Sequence, residues 1–321
     1  MARYQIHHAN CFDWLKEQPN RSFHAVCTDP PFGIVEFSAH EMNKLRKGHG
    51  GVWRIPPSIG GSVRDPLPRF TTLGPLERER VRAYFRDFGH ILAEKLVPGA
   101  HVLIAGNPML QHLVQMGMSE AGYEVRGAIV RLYRGFRGGD RPKLAEREFE
   151  EVCVTPRGAY EPWMLFRLPI AEKTVAENLR VWKTGALRRL QIEQPLPDVI
   201  QSGKTPVMEE TVSNHPTLKP QHLLRILVRA LLPLGEGIVL DPFAGSFSTI
   251  AACEAVGYRS VGVEVDDEYF HAAERNIGIL SGFYPYFKGE RLDMEVRPEP
   301  PRAAAPQRSE QESLFYGRCA E

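Results

Sequence analysis

Four consecutive residues bring together a carboxylate, free carbonyl oxygens and an aromatic ring: Asp29, Pro30, Pro31 and Phe32. They follow residues 24–28, an apolar run of the kind that forms a buried strand. The two prolines fix the backbone φ and remove two N–H donors, so the segment is predicted to form a stiff, irregular turn. Such a turn can offer acceptors to an exocyclic amine and a ring face to a flat heterocycle. The plainer interpretation is a buried strand followed by a Pro-Pro loop.

A second segment has the residue types of a nucleotide-binding corner. The short apolar run 237–240 leads into Asp241-Pro242-Phe243-Ala244-Gly245-Ser246-Phe247-Ser248-Thr249, and a helical pattern follows over 250–256. A strand, a glycine-containing turn and a helix N-terminus suit a nucleotide-type ligand. The next predicted strand, 259–263, is followed by Glu264, whose carboxylate could accept from ribose hydroxyls. The G-x-G-x-x-G pattern of a dehydrogenase is absent at this corner. An ordinary βα turn is the alternative.

A third segment, Asn214-His215-Pro216-Thr217-Leu218-Lys219-Pro220, opens a predicted helix. Apolar residues at positions 223, 224, 227, 228 and 231 have the spacing of one helix face. Taken alone, this segment is a proline-bounded helix start.

Together the three segments resemble motifs of the DNA amino-methyltransferases. D-P-P-[FYW] after a strand resembles the catalytic motif of enzymes that methylate adenine N6. Residues 241–249 resemble the S-adenosylmethionine (AdoMet) motif D-P-F-x-G-S-G-[ST]-T, with Phe247 in place of a glycine. H-P-T-x-K-P resembles the segment that leads into the AdoMet pocket. The catalytic motif precedes the cofactor motif, an order that resembles the permuted β group. The resemblance spans roughly residues 4–277.

The resemblance implies an AdoMet-dependent methyltransferase that acts on adenine N6 in double-stranded DNA. Its fold would be α/β, with a doubly wound, mostly parallel sheet and an inserted target-recognition region. The target base would be flipped out of the duplex and stacked on Phe32. The implied catalytic residues are Asp29, Pro30, Pro31 and Phe32. The implied cofactor-binding residues are Asn10, Asp29, His215, Lys219, Asp241, Phe243, Gly245, Ser246 and Glu264. No metal site is predicted.

Positive charge is concentrated in two segments that are candidates for DNA binding. Residues 42–86 contain ten Lys or Arg against three acids, and residues 180–189 contain four basic residues and no acid. Phosphate binding explains such clusters, because DNA is a dense line of negative charge. A solvated basic face is the alternative for the second segment. The residues predicted to bind DNA are Lys44, Arg46, Lys47, Arg180, Lys183, Arg188 and Arg189.

Strands that alternate with helices predict one large α/β domain, and the resemblance implies four parts within the chain. Residues 1–134 would form the catalytic half, including a basic loop over 33–75. Residues 135–213 would form the target-recognition region, with one core strand near 151–155. Residues 214–289 would form the AdoMet-binding half. The proline- and alanine-rich residues 290–321 are predicted to be a disordered tail.

Composition is compatible with this prediction. The chain has 321 residues, 43% of them hydrophobic, and a formal net charge of only +1, which gives no global nucleic-acid signal. Five cysteines without a C-x-x-C pair indicate a reducing compartment, and no apolar stretch approaches the length of a membrane span. We therefore expect a cytoplasmic, nucleoid-associated enzyme without membrane contact. A homodimer and a cognate restriction enzyme are compatible with the family resemblance.

Two other functions are compatible with the sequence. The first is cytosine-N4 methylation of DNA, although that group usually has Ser where this chain has Asp29. The second, from a different class, is a non-catalytic module that binds DNA or AdoMet. The intact acids Asp29, Asp241 and Glu264 favour catalysis over such a module.

Overall fold

The computed structural model describes residues 3–31, 58–59, 62–63, 73–133, 139–213 and 218–284. Ten strands are present in these ranges: β1 (Tyr4–His8), β2 (Phe23–Thr28), β3 (Ser58–Ile59), β4 (Ser62–Val63), β5 (Leu96–Ala105), β6 (Glu124–Leu132), β7 (Tyr160–Arg167), β8 (Val199–Gln201), β9 (Ile238–Asp241) and β10 (Arg259–Glu264). Strands β3 and β4 pair with each other in an antiparallel ladder.

The other eight strands form one sheet in the order β1-β10-β9-β2-β5-β7-β6-β8. Strand β7 is antiparallel to both of its neighbours, β5 and β6, and every other neighbouring pair is parallel. The prediction of a mostly parallel sheet is confirmed.

Eight helices accompany the strands in the described ranges: α1 (Cys11–Glu17), α2 (Pro75–Lys95), α3 (Gln111–Glu120), α4 (Val175–Trp182), α5 (Val207–Glu210), α6 (Gln221–Leu231), α7 (Ser248–Val256) and α8 (Asp267–Gly282). In those ranges no helix is both long and apolar enough to cross a bilayer. The predicted helix after Pro220 is confirmed as α6. The apolar positions of α6 are buried, as its helical spacing predicts.

Helices cover both faces of the sheet. On one face, Val26 of β2 and Val102 of β5 pack with α1, α2 and α3. On the other face, the next residues along the same strands, Cys27 and Leu103, pack with α6 and α7. Because successive side chains of a strand point to opposite faces, each central strand is apolar on both sides. The doubly wound α/β architecture is therefore confirmed.

The predicted core strand near 151–155 is wrong. Those residues form turns and irregular structure, with Val152 and Val154 exposed. The core strand is β7, where four successive side chains, residues 163–166, are buried. The sequence does not predict β7, because a proline within a segment argues against a central strand. Pro162 is tolerated because it lies just past the β5–β7 ladder, which ends at the pair Ala105 and Trp163, and its carbonyl accepts from Gly106 at 3.0 Å.

The predicted limits of the target-recognition region also need correction. Strands β7 and β8 belong to the main sheet, and Leu190 packs in its core with Trp163 and Ile200. The segment 135–213 is therefore not one separate insertion. Two described parts of this segment lie outside the sheet at its carboxyl edge: residues 139–159 and residues 202–213. The predicted tail, 290–321, lies outside the described residues, as does most of the predicted basic loop, 33–75.

Candidate active site

The predicted acids meet at one edge of the sheet. Asp29 directly follows β2, Asp241 is the last residue of β9, and Glu264 is the last residue of β10. These three parallel strands are adjacent in the order β10-β9-β2, so their carboxyl ends open on the same crevice. Open α/β sheets bind ligands at this edge, next to the point where the strand order reverses. The structure thus brings the two predicted motifs together although they are far apart in the sequence.

Asp241 links the two motifs directly. Its side chain accepts from the Thr28 hydroxyl at 2.7 Å and from the Phe243 backbone N–H at 3.2 Å. Asp241 is only 2% exposed, and burial raises its pKa to about 6. Hydrogen bonds from Thr249, Thr28 and the Phe243 backbone act in the opposite direction, and the nearby charge of Asp29 adds to the rise. Asp241 therefore holds the end of β2 against the turn that follows β9.

Asp29 is more accessible than Asp241 and has a cationic partner. Its side chain is 26% exposed, and its Oδ2 lies 2.8 Å from Nζ of Lys219. Within the described residues, no other hydrogen bond or ion pair reaches this carboxylate. Pro30 is buried and Pro31 is exposed. Asp29 is therefore available as an acceptor at the crevice, while one of its oxygens is already held.

Lys219 also contacts a second acid, Glu161 at the start of β7. The Lys219 ammonium lies 2.8 Å from Glu161 Oε1, and Glu161 Oε2 accepts from Arg131 at 3.3 Å and from the Trp163 indole at 3.2 Å. Burial disfavours the ammonium, but Asp29 and Glu161 outweigh it and raise the pKa of Lys219. Burial likewise disfavours the Glu161 carboxylate, and Lys219 with Arg131 still holds the pKa of Glu161 below its usual value. The family resemblance implies a cofactor contact for Lys219 and assigns no site role to Glu161.

The predicted cofactor corner is built around Glu264. Its Oε2 accepts from the Gly245 backbone N–H at 2.6 Å, and Oε1 accepts from the N–H groups of Val265 and Asp266 at 2.9 and 2.8 Å. The turn itself is closed by hydrogen bonds between backbone groups of residues 244 and 247 and of 244 and 263. Ser246 is buried in this turn. Glu264 thus fixes the glycine-containing turn at the carboxyl end of β9.

Phe247 occupies the position where the family motif has glycine, and its backbone adopts the left-handed conformation that glycine favours. Its φ is +61°, in the left-handed region, and Gly245 has φ +50°. The Phe247 ring is fully buried and lies against Gly262 on β10. A Cβ built on Gly262 would be 3.0 Å from Phe247 Cε1 and 2.8 Å from Ile250 Cγ1, so glycine at 262 provides the space for the ring. The ring points into the core, and the turn retains its backbone for a ligand.

Two further predicted cofactor residues flank this corner. Asn10 follows β1, and its side chain caps α1 by accepting from the Phe12 backbone at 3.0 Å. The preceding residue, Ala9, donates to the Glu264 carbonyl, so Asn10 lies beside the corner with an exposed side chain. Phe243 is half-buried, with its ring 5.5 Å from that of Phe88. Carboxylate, amide and aromatic groups beside a turn with two left-handed residues fit a nucleoside-type cofactor such as AdoMet.

The basic residues predicted from 180–189 lie at the opposite edge of the sheet. Asn178 of α4 donates to the carbonyl of Pro98, near the start of β5, at 3.0 Å. Arg188 donates to the hydroxyl of Tyr258, just before β10, at 2.7 Å. Both contacts are at the amino ends of the parallel strands. The structure therefore does not bring Arg180, Lys183, Arg188 and Arg189 together with Asp29.

Several predicted residues lie outside the described ranges: Phe32, Lys44, Arg46, Lys47 and His215. Within the described ranges, no group of three or more His, Cys, Asp or Glu could hold a metal ion.

Comparison with known proteins agrees with this geometry. The family model N6_N4_Mtase, described as "DNA methylase", matches residues 23–275, more than three-quarters of the chain. The chain is 22% identical to the type II methyltransferase M2.DpnII of Streptococcus pneumoniae over 84% of its own length and 88% of the relative. It is 43% identical to the DNA adenine methyltransferase YhdJ of Escherichia coli, over 22% of this chain and 24% of YhdJ.

Solved structures share the fold at low sequence identity. The cytosine-N4-specific PvuII DNA methyltransferase is 15% identical, with a TM-score of 0.54 over 86% of this chain and 88% of its own. A protein of Thermus thermophilus described as a "Putative DNA Modification Methylase", crystallised with AdoMet, is 18% identical, with a TM-score of 0.52 over 87% of this chain and 96% of its own.

These findings confirm the predicted fold and cofactor at the level of the family. The family uses S-adenosylmethionine, and its partner is DNA. The crevice at Asp29 and Asp241 lies within the matched residues. The chain therefore belongs to the N6/N4 family of AdoMet-dependent DNA methyltransferases.

Proposed function

We propose that this methyltransferase acts on the N6 amine of adenine in double-stranded DNA. The observation that carries the proposal is Asp29 at the carboxyl end of β2, one residue after Thr28, which binds the cofactor-motif acid Asp241. A partly exposed carboxylate is thereby fixed next to the corner that is proposed to hold the cofactor.

The chemistry follows from the electronic structure of the target amine. Adenine N6 is planar because its lone pair is delocalised into the ring, and this makes it a weak nucleophile. The Asp29 carboxylate and the Pro30 carbonyl can each accept a hydrogen bond from one of the two N–H groups of this amine. Accepting both favours a tetrahedral nitrogen whose lone pair is free to react. Positioning and electrostatics would carry most of the catalysis.

The corner at residues 241–264 would hold AdoMet, which supplies a sulfonium methyl group. Glu264 would accept from the ribose hydroxyls, and Asn10 would contact the adenine. Phe243, Gly245 and Ser246 would line the turn. Lys219 and Asp241 lie behind these groups, since both are buried. His215 remains a predicted contact at the lip of the pocket.

A base inside a duplex cannot reach a crevice of this kind, so the target adenine must be flipped out. We propose that Phe32 stacks on the flipped base. The similarity to a type II methyltransferase supports a role in restriction–modification, with a cognate restriction enzyme as partner. A homodimer is compatible with the family resemblance, and we expect the enzyme to act in the cytoplasm at the nucleoid.

Cytosine-N4 methylation is the second candidate. The fold is shared with the PvuII enzyme, which is cytosine-N4-specific. Asp29 favours adenine, because the cytosine-N4 group usually has Ser at this position. The local similarity to YhdJ, a DNA adenine methyltransferase, points the same way.

Labelling the product decides between the candidates. Duplex DNA is incubated with the protein and methyl-tritiated AdoMet, digested to nucleosides and separated. We expect the label in N6-methyldeoxyadenosine. Label in N4-methyldeoxycytidine would establish the second candidate. A protein that binds DNA and AdoMet but transfers no label to any of several mixed-sequence duplexes would be the non-catalytic module.

A further inference from the structure

A chain of charged side chains runs from Asp29 into the interior of the protein. It passes from Asp29 to Lys219, then to Glu161 and finally to Arg131, with contacts of 2.8, 2.8 and 3.3 Å. The last three residues are 8%, 9% and 5% exposed, whereas Asp29 opens on the crevice. Asp29 is therefore the member of this series of charged side chains that can meet a substrate.

The charges along the chain are balanced. Two carboxylates alternate with two cations, so each buried charge has an opposite charge beside it. Arg131 is further fixed by donating to the Gly203 carbonyl at 3.0 Å and to the Ser202 hydroxyl at 3.3 Å. Buried charges persist when they are paired and hydrogen-bonded in this way, and breaking one pair leaves an uncompensated charge.

Rigid elements hold the cation that binds Asp29. Glu161 lies at the start of the central strand β7, between β5 and β6. Lys219 immediately precedes Pro220, the N-cap of α6. The Lys219 ammonium is therefore fixed from the helix side and from the sheet side. A carboxylate bound to a fixed ammonium at Oδ2 has one defined orientation.

We propose that Lys219, itself held by Glu161, is a positioning residue for the Asp29 carboxylate and not a contact to the cofactor. It orients the acceptor that binds the target amine, and its own atoms touch neither DNA nor AdoMet. Glu161 contributes by keeping the Lys219 ammonium directed at Asp29. This inference rests on the proposed function of Asp29 as the amine acceptor.

The test compares methyl transfer with cofactor binding in the full chain. Lys219→Met is expected to slow single-turnover methylation of duplex DNA by about 10- to 100-fold, the effect typical of losing a buried hydrogen bond to a charged group. Its AdoMet dissociation constant, from calorimetric titration, should stay within about 2-fold of the parent. Lys219→Arg should recover part of the rate, because it restores the cation. Lys16→Met is the matched control, since Lys16 pairs with Asp13 at the surface of α1, and it should behave as the parent.

A double variant separates positioning from a general structural role. In an Asp29→Ala background, adding Lys219→Met should cause little further loss of rate, because the oriented group is already gone. A structural role would instead lower the rate by a similar factor in both backgrounds. If Lys219→Met does not fold, Glu161→Gln and Lys219→Arg provide the same comparison against Asp29→Ala.

Three results would overturn the inference. They are a parental rate in folded Lys219→Met, a loss of AdoMet affinity that accounts for the whole loss of rate, and full additivity with Asp29→Ala. Each is distinct from a failure of the proposed function, in which the parent protein itself would place no label on adenine.

Discussion

Asp29 and Asp241 are neighbours in space but occupy different environments. The Asp29 side chain is 26% exposed and is bound by an ammonium, whereas Asp241 is 2% exposed and bound by hydroxyls and a backbone N–H. Asp29 has the access that a group touching substrate requires. Asp241 has the burial of a group that ties two loops together. The exposure of Asp29 therefore suits contact with a substrate, and the burial of Asp241 suits a structural link between two loops.

Replacing Asp29 by alanine should abolish most of the methyl transfer and leave the fold intact. Strand β2 holds this part of the fold, and the corner at 241–264 is the one proposed to bind the cofactor, so AdoMet binding should persist. A preorganised group of this kind is worth about 2.7–4 kcal/mol in the transition state, or roughly 10²–10³ in rate. Single-turnover labelling of DNA measures the loss, with AdoMet titration as the control. A folded, AdoMet-binding variant that methylates at the parental rate would refute the mechanism.

Asp241 makes the stability of the protein depend on pH in an unusual direction. Its folded pKa, about 6, lies above the unfolded value, so the folded state binds the proton more tightly. The stability gained from this proton is fully present below about pH 4 and is lost as the pH rises through about 6. Asp241→Asn removes the titration.

Urea unfolding of the parent and of Asp241→Asn at pH 5 and pH 7 measures this effect. From pH 5 to pH 7, the unfolding free energy of the parent should fall by about 1–2 kcal/mol relative to that of Asp241→Asn. A difference that is constant with pH would show that Asp241 is ionised in the folded protein at both values.

The sequence located Asp29, Asp241 and Glu264 because each belongs to a local motif at the end of an apolar run. It did not locate Glu161. Glu161 is paired with Lys219, 58 positions away in the sequence, and with Arg131, 30 positions away. No local sequence pattern encodes such pairs. The resemblance to H-P-T-x-K-P predicts that Lys219 contacts the cofactor, whereas its ion pairs with Asp29 and Glu161 are the basis of the positioning role that we propose.

At the scale of elements, the turn after β9 depends on a fit between two neighbouring strands. Phe247 occupies a left-handed backbone position that favours glycine, and its ring fills the space beside Gly262. The sequence revealed the substitution of glycine by Phe247 but not its compensation, because Gly262 lies on the next strand, β10. Strand β7 was missed for a related reason: Pro162 argues against a central strand unless the end of the ladder is known.

Gly262→Ala should therefore destabilise the protein. The added methyl would lie 2.8 Å from Ile250 Cγ1 and 3.0 Å from Phe247 Cε1, and such overpacking costs about 1–3 kcal/mol. Gly278→Ala is the control, because nothing lies within 4 Å of its Cβ position and it is in helix α8. This control should be neutral or stabilising by up to about 1 kcal/mol. Equal unfolding free energies for the two variants would contradict the packing argument.

Glu264→Ala should weaken AdoMet binding more than DNA binding. The carboxylate holds the Gly245 N–H at 2.6 Å and is proposed to accept from the ribose, so the variant loses both the turn and the ligand contact. A lost hydrogen bond to a charged group costs about 1.5–3 kcal/mol. Calorimetric titration with AdoMet measures it. Glu264→Gln keeps one acceptor oxygen but sets an NH2 donor against backbone N–H donors at the other, so it should weaken AdoMet binding less than Glu264→Ala. Unchanged cofactor affinity in both variants would remove Glu264 from the site.

At the scale of the whole molecule, the order of the motifs along the chain matters less than the edge of the sheet on which they end. Both motifs follow parallel strands, so their carboxyl ends meet although the catalytic motif comes first. This part of the site was predictable from the sequence. The position of the basic segment 180–189 was not, because residues between β7 and β8 return to the amino edge, where Asn178 binds Pro98 and Arg188 binds Tyr258.

The two basic segments should therefore differ in their effect on DNA binding. A duplex whose base enters at Asp29 lies along the carboxyl edge, and the segment that directly follows the catalytic motif is the one expected to bind its phosphates. Replacing Lys44, Arg46 and Lys47 by alanine should flatten the plot of log affinity against log salt by about 0.9 for each phosphate that is no longer neutralised. Replacing Arg180, Lys183 and Arg189, which removes the same number of charges, should leave the slope close to that of the parent. Fluorescence anisotropy of a labelled duplex across a range of salt concentrations gives both slopes. A larger change in the second variant would place the duplex on the opposite edge of the sheet, away from Asp29, and would contradict the proposed path of the target base.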